Sequence, residues 1–333
     1  TPAFRFTINA KAHDNKRNNK VIGMITTVTL NPCIDKTVTI DGFTYGGMNR
    51  IIDSRIDPSG KGINVAIAYS QLGGQALCTG INYRINGDLI EQRLDRAGIA
   101  HDFVTVKGEV RVNHKVYDRS TQVVTELNES GHMTDADALV ELKDKLMAHC
   151  RDSDILVLSG SAPRGVSTTI YRELLQTVSG LPIKTVLDAE GELLLHGLEG
   201  KPYIIKPNLF ELETALDIKI TSHQDIIKAA KVFLDKGVKI ICVSLGGQGA
   251  IIIDENNGYY APALKVDVKG TTGAGDSIIA GFCLAMIEGL NLKDMLRYGV
   301  AAATASIIRE GTLMCTREDF QKILPQVKVE KLL

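Results

Sequence analysis

The chain has 333 residues, 44% of them hydrophobic and 23% charged, with a formal net charge of −1. That length accommodates one large or two ordinary domains with a sizeable core. A charge balance so close to neutral removes the electrostatic reason to expect nucleic acid or an anionic membrane as partner, and no apolar run approaches the ~20 residues of a membrane span.

Residues 1–23 are polar and basic and lack the apolar stretch of a secretory signal. They are expected to be an extension outside the fold, with Met24 opening it at "MITTVTLNP". Strand-like, β-branched runs then follow at 25–30, 154–160, 183–188, 203–208 and 239–246. Amphipathic helical stretches such as 135–150 and 222–237 lie between them. Ser222 has the chemistry of an N-cap and Gly237 that of the residue just past a helix end, as do Gly73 and Gly74 after the preceding apolar stretch. Buried strands alternating with helices predict an α/β fold, a mainly parallel sheet covered on both sides. Two stretches break the rhythm. Residues 36–57 and 103–127 alternate, with one largely polar face, and are expected to form a small antiparallel β lid inserted into a large domain of 24–35, 58–102 and 128–325. The six cysteines (Cys33, Cys78, Cys150, Cys242, Cys283 and Cys315) are scattered, several within apolar runs, and predict reduced thiols in a cytoplasmic setting. None of the seven histidines has metal-binding spacing.

The chemistry gathers at glycine-rich turns. In 270–282, "GTTGAGDSIIAGF", Gly273 and Gly275 let consecutive N–H groups point one way where a helix begins, with Asp276 beside them. An anion hole next to a carboxylate suits phosphoryl transfer, the carboxylate taking a proton from an alcohol. The plainer reading is that Asp276 is an N-cap. The common phosphate motifs are absent: 160–167, "GSAPRGVS", has Val166 where a Walker A loop needs lysine, and no G-x-G-x-x-G follows a predicted strand. A second turn, 58–74, offers Gly60, the charge of Lys61 and the amide of Asn64, or simply a surface helix start. Asp35 follows the first strand, where ligands bind in open α/β sheets, though aspartate there is also a common turn residue. Asp188 ends another strand, as a ligand or, on the preferred reading, an ordinary turn residue.

The segments "NPCID", "GKGINVA", "SGSAP", "KPNLFE", "VSLGGQGA" and "TTGAGDS", in this order between Met24 and Leu324, resemble the ribokinase-like (PfkB) carbohydrate kinases. The opening "TLNPCID" and 107–113, "KGEVRVN", are similar to the family's sugar-phosphate branch. The resemblance implies a three-layer α/β/α domain with a β lid, paired lid to lid in a homodimer, and transfer of phosphate from ATP to a sugar phosphate with Mg2+. It makes Asp276 the base and Gly273, Ala274 and Gly275 the anion hole. Asp35, Gly60, Asn64 and Ser161 would hold the sugar, and Lys61, Arg111 and Arg50 its existing phosphate. Lys206, Asn208, Ser244, Gly246 and Gly249 would contact nucleotide, while Asn208 and Glu211 match an N-x-x-E feature tied to magnesium. A binding-only sugar-phosphate sensor is the reading from another class; it has no need of a base or a metal handle. The chain departs from the family pattern at Ser59, where many members have glycine, and at Met48, where a basic residue is missing.

Overall fold

Runs of branched apolar residues become the centre of a ten-stranded sheet. The computed structural model describes residues 23–333. Among them the strands are, in chain order, β1 (Met24–Thr29), β2 (Cys33–Ile40), β3 (Asp53–Ser59), β4 (Gln75–Ile85), β5 (Ala100–Glu109), β6 (Arg111–Asp118), β7 (Val123–Asn128), β8 (Ile155–Ser159), β9 (Lys184–Asp188), β10 (Ile204–Ile205), β11 (Ile240–Ser244), β12 (Ala250–Ile253), β13 (Gly258–Ala261) and β14 (Glu330–Lys331). The large sheet has the order β14-β13-β12-β11-β10-β9-β8-β1-β4-β5. It is parallel from β11 to β5 and antiparallel from β11 out to β14.

Every residue of β8 is buried, as is β1 from Ile25 to Thr29. Successive side chains point to opposite faces, so such runs require cover on both sides of the sheet. Helices supply it. Ala136–Cys150 and His223–Asp235 occupy the expected stretches, the latter capped by Ser222, whose hydroxyl accepts from the Asp225 N–H. Helix Ala274–Ile287 is buried from Asp276 to Met286, and it packs against helices Lys61–Gln71 and Leu292–Ile307. Its crossing with the latter needs glycine: a Cβ on Gly281 would lie 2.6 Å from the Tyr298 carbonyl oxygen. Among the described residues no helix is long and apolar enough to cross a membrane, and all six cysteines are buried and unpaired.

The inserted sheet has the order β3-β2-β6-β7. Its two hairpin-like pairs, β2–β3 and β6–β7, are antiparallel as expected, and they join through a parallel β2–β6 pairing. Two boundaries differ from expectation. Residues 103–109 belong to β5, at the edge of the large sheet, so the second lid piece begins at Arg111. An edge strand with one solvated face carries the same alternation as a lid strand. Within the first piece, 41–52 is a loop rather than strand. The extension expected over 1–23 lies outside the described residues except for Gly23. That residue belongs to the fold, being buried, its carbonyl accepting from the Tyr69 hydroxyl and the Gln75 N–H.

Parallel strands end on one edge, and this edge organises everything that follows. Asn31 follows β1, Ser161 follows β8, Asp188 ends β9, Lys206 follows β10 and Ser244 ends β11. The small sheet continues from the same edge, with Asp35, Asn113 and Asn128 in register across it and Thr37, Lys115 and Glu126 in the next row on that face.

Candidate active site

Between the strand ends and the small sheet lies a cavity of about 440 Å³. Its floor includes the N-terminus of helix Ala274–Ile287. Gly273 precedes that helix at φ +80°, a left-handed conformation costly to any residue with a Cβ. The Ala274 N–H bonds the Thr271 carbonyl at 3.3 Å and the Ser277 N–H bonds that of Gly273 at 2.9 Å. The amides of Gly275 and Asp276 have no acceptor among the described residues. With the helix dipole behind them, such free amides are suited to hold an anion.

Asp276 is not the cap. The N-cap is Gly273, and Asp276 is the third residue of the helix. Its buried carboxylate accepts from Asn64 Nδ2 at 2.9 Å. Burial pushes the carboxyl up to about 6, against the opposing charge of Lys61, and the nearby Asp188 carboxylate adds to the rise. A carboxylate with that environment is ionised at neutral pH yet basic enough to take a proton.

Opposite the anion site stand two cations on one acid. Lys61 opens helix Lys61–Gln71, and its Nζ is 3.4 Å from Asp188 Oδ2; Lys206 Nζ is 3.2 Å from Oδ1. Burial alone would raise the Asp188 carboxyl, but Lys206 and Lys61 together outweigh it and hold the group below its usual value. Asp188 in turn holds the Lys61 ammonium well above its usual range. Two ammonium groups share one carboxylate, which leaves a net positive charge beside the anion site. Asp188 is thus no ordinary turn residue: it is 2% exposed and assembles the cationic wall.

The small sheet supplies the far wall. Asp35 Oδ1 accepts from Asn113 Nδ2 at 3.1 Å, and Lys115 Nζ lies 3.3 Å from Asp35 Oδ2. The same ammonium donates to Thr272 Oγ1 at 3.1 Å, which ties the small sheet to the anion loop. Arg111 donates to Asn113 Oδ1 at 2.8 Å and to the Glu129 carbonyl at 2.9 Å. Ser161 Oγ accepts from Asn31 Nδ2 at 3.1 Å, while Asn31 Oδ1 is buried without a partner, an acceptor that a ligand hydroxyl would satisfy. The serine at 59 does not disturb the loop. Ser59 is buried with Oγ 3.3 Å from Asn64 Nδ2, and Gly60 at φ 162° is extended backbone.

Of the expected site residues, Asp35, Gly60, Lys61, Asn64, Arg111, Ser161, Lys206, Gly273, Gly275 and Asp276 line the cavity. Ala274, the first helical residue, does not supply the expected free donor: its amide bonds the Thr271 carbonyl, and among the described residues the amide of Asp276 is free instead. Ser244, Gly246 and Gly249 do not line it but extend the same edge, with Ser244 bridged to Asn208 and Gly246 and Gly249 in the turn into β12. Arg50 is not brought to the site: it is exposed in the 41–52 loop, because the strand that would aim it inward starts only at Asp53. Sequence reasoning missed Asn113 and Lys115, although period-two alternation from Arg111 places both on its face. It also preferred a turn role for Asp188 over that of a ligand.

Among the described residues no group of three His, Cys, Asp or Glu could hold a metal. Asn208 and Glu211 form a capping box: Asn208 N–H and Nδ2 donate to Glu211 at 2.9 and 2.8 Å, and the Glu211 N–H donates back at 2.8 Å. Burial raises the half-buried Glu211 carboxyl above its usual value. One carboxylate in this setting does not build a dehydrated metal cage. It fits a hydrated magnesium ion that arrives on nucleotide phosphates, which needs only one or two protein carboxylates.

Comparison with known proteins gives a consistent result. The profile of the pfkB family carbohydrate kinases matches residues 28–319. The chain is 34% identical over 310 residues to 1-phosphofructokinase of Borreliella burgdorferi, covering 93% of this chain and 99% of that one. It is 30% identical over 311 residues to tagatose-6-phosphate kinase of Staphylococcus epidermidis, covering 92% and 99%. Among solved structures, phosphofructokinase-2 from Escherichia coli in complex with potassium is similar at a TM-score of 0.85 and 30% identity, over 91% of this chain and 99% of that one.

Proposed function

The chain belongs to the pfkB family of carbohydrate kinases, and from that premise we propose that it transfers the γ-phosphoryl group of ATP to a hydroxyl of fructose 1-phosphate. The observation that carries the chemistry is the buried Asp276 carboxylate, beside two unpartnered amides and facing Lys61 and Lys206. In this reading ionised Asp276 accepts the proton of the attacking hydroxyl. That oxygen bonds to the γ-phosphorus as the bond to the ADP oxygen breaks. The Gly275 and Asp276 amides, with Lys61 and Lys206, hold the charge on the migrating group. Asp35, Asn64, Asn113 and Ser161 grip the sugar, and Arg111 faces its existing phosphate. Nucleotide lies along the edge from Lys206 and Asn208 to Ser244, Gly246 and Gly249. Asn208 and Glu211 are the residues that would hold a magnesium ion, which would supply charge to neutralise the nucleotide's phosphates.

The preference for fructose 1-phosphate rests on the several relatives named 1-phosphofructokinase, at 29–34% identity. Tagatose 6-phosphate is the second reading, favoured by the relatives of that name at 30%. We also assign a cytoplasmic location, consistent with six unpaired cysteines, and a homodimer formed through the small sheet. Its outward face carries Ile56 and Leu127, 56% and 60% exposed, in one cross-strand row with Lys36 and His114.

The test is ADP release with fructose 1-phosphate, tagatose 6-phosphate, fructose 6-phosphate and unphosphorylated fructose. The expected order puts fructose 1-phosphate first in kcat/KM. A higher value for tagatose 6-phosphate transfers the assignment to that sugar, and no turnover of any of the four overturns the kinase reading in favour of a sensor.

A further inference from the structure

We propose that Arg93, which stands outside the cavity, is a positioning residue for the proton acceptor: it fixes which way the Asn64 amide faces, and thereby keeps Asp276 in the form that accepts a proton. The inference rests on the reading in which Asp276 is the base.

Arg93 lies on helix Gly87–Arg96 and enters behind the site. Its Nη1 donates to the Pro58 carbonyl, near the end of β3, and to Asn64 Oδ1 at 3.3 Å; Nη2 donates to the Thr312 carbonyl at 2.9 Å. A guanidinium has donors only. The amide must therefore turn its oxygen toward Arg93, and its nitrogen is left to donate to Asp276 Oδ2 at 2.9 Å. The other neighbour of this amide does not decide the matter. Ser59 Oγ lies 3.4 Å from Asn64 Oδ1 and 3.3 Å from Nδ2, and a hydroxyl serves either atom.

The chain Arg93–Asn64–Asp276 has a chemical consequence. With nitrogen facing it, the carboxylate keeps one oxygen hydrogen-bonded and the other free for the sugar hydroxyl. With the amide reversed, two oxygens would face each other, and only protonation of Asp276 would relieve them. A protonated Asp276 cannot act as base. The other charges that face Asp276 are Lys61 from helix Lys61–Gln71, Asp188 from the end of β9 and Lys206 beyond β10, with Lys115 of the small sheet against the preceding Thr272. On the remaining side this turn meets Ser306 and Met314, which carry no charge. None of these groups touches the Asn64 amide oxygen. Arg93 does, and it spans the end of the lid strand and the 312 loop with the same fork.

The deciding experiment follows the Asp276 carboxyl by 13C NMR across pH in the substrate-free protein, with Asp276→Asn to assign the signal. Arg93→Gln places an acceptor as well as a donor beside the Asn64 amide and so no longer fixes it, whereas Arg93→Lys keeps donors only. The Asp276 midpoint of Arg93→Gln is expected to rise by about one pH unit, the size of one charge-assisted hydrogen bond, and Arg93→Lys is expected to stay closer to the parent. The acid limb of kcat/KM should move up with the midpoint. If Arg93→Gln does not fold, Arg93→Met takes its place, since it offers the amide oxygen no donor, and the same rise is expected. An unmoved or lowered midpoint in folded Arg93→Gln, or in the variant that takes its place, overturns the proposal. Because the titration needs no turnover, it stands apart from the sugar-phosphate panel: failure there sinks the kinase reading and leaves this measurement valid.

Discussion

Asp276 shows how one residue's surroundings set its chemistry. Free in water its carboxyl would titrate near 3.8, whereas in the buried site it is pushed up to about 6. Activity should therefore fall along an acid limb near pH 6 as the base is protonated. Asp276→Asn should lower kcat by about 10²–10⁴-fold while ATP still binds, and a loss of only a few-fold would remove the residue from the mechanism. The same burial predicts a stability gain. A carboxyl whose folded value is raised binds protons more readily in the folded state. It therefore destabilises the fold increasingly as pH rises from the unfolded value to the folded one, fully above it, and costs nothing below the unfolded value. Asp276→Asn should thus melt higher than the parent at pH 8, with the gap closing as pH falls through about 6 toward 3.8. Equal melting temperatures at pH 8 would show that the carboxylate is not under this strain. Asp188 is the counterpart: two lysines hold it ionised, and its contribution to stability is full above its unfolded value and lost as pH falls from there through its depressed one.

At the scale of elements, the start of helix Ala274–Ile287 depends on a left-handed residue. A Cβ on Gly273 at φ +80° would also stand 2.5 Å from Met314 Cε. Gly273→Ala should cost about 1–2 kcal/mol of stability and, by turning the Gly275 and Asp276 amides away from the phosphoryl group, lower kcat by roughly 10²-fold, as loss of an anion-hole donor does. Gly98→Ala is the matched control. Gly98 has φ +67° with nothing within 4 Å of its would-be Cβ, so it carries similar backbone strain far from the site. Chemical denaturation and steady-state kinetics on both variants separate the effects. Equal losses of kcat would mean that the anion loop matters only for folding.

For the whole molecule, the small sheet has two working faces. One row, with Asp35, Asn113 and Asn128, looks into the cavity, and the next row out presents Ile56 and Leu127 to solvent. A one-residue slip would exchange these faces, so register ties the site to the surface behind it. If that apolar row is the dimer interface, the parent should sediment as a dimer of the 36.1 kDa chain. Ile56→Glu combined with Leu127→Glu should sediment as a monomer, because buried carboxylates without partners oppose association. A monomeric parent, or a dimer that survives both changes, would place the interface elsewhere.

What the sequence determined by itself was local. The β-branched runs, Ser222 as a cap, Gly237 beyond its helix and the glycine turn before Asp276 each depend on neighbours a few residues away, and period and conformational freedom are written at that range. The membership of 103–109 was not legible, because an edge strand and a lid strand share one alternation. Nor were the partners of the site. Asp188 meets Lys61 and Lys206, Lys115 meets Asp35 and Thr272, and Arg93 meets Asn64, all across separations that only the order of the strands closes. An aspartate after a strand looks alike whether water or two ammonium groups await it. Only burial and charge in the folded chain decide between them, since electrostatic energy depends on distance through space and on the solvent excluded there.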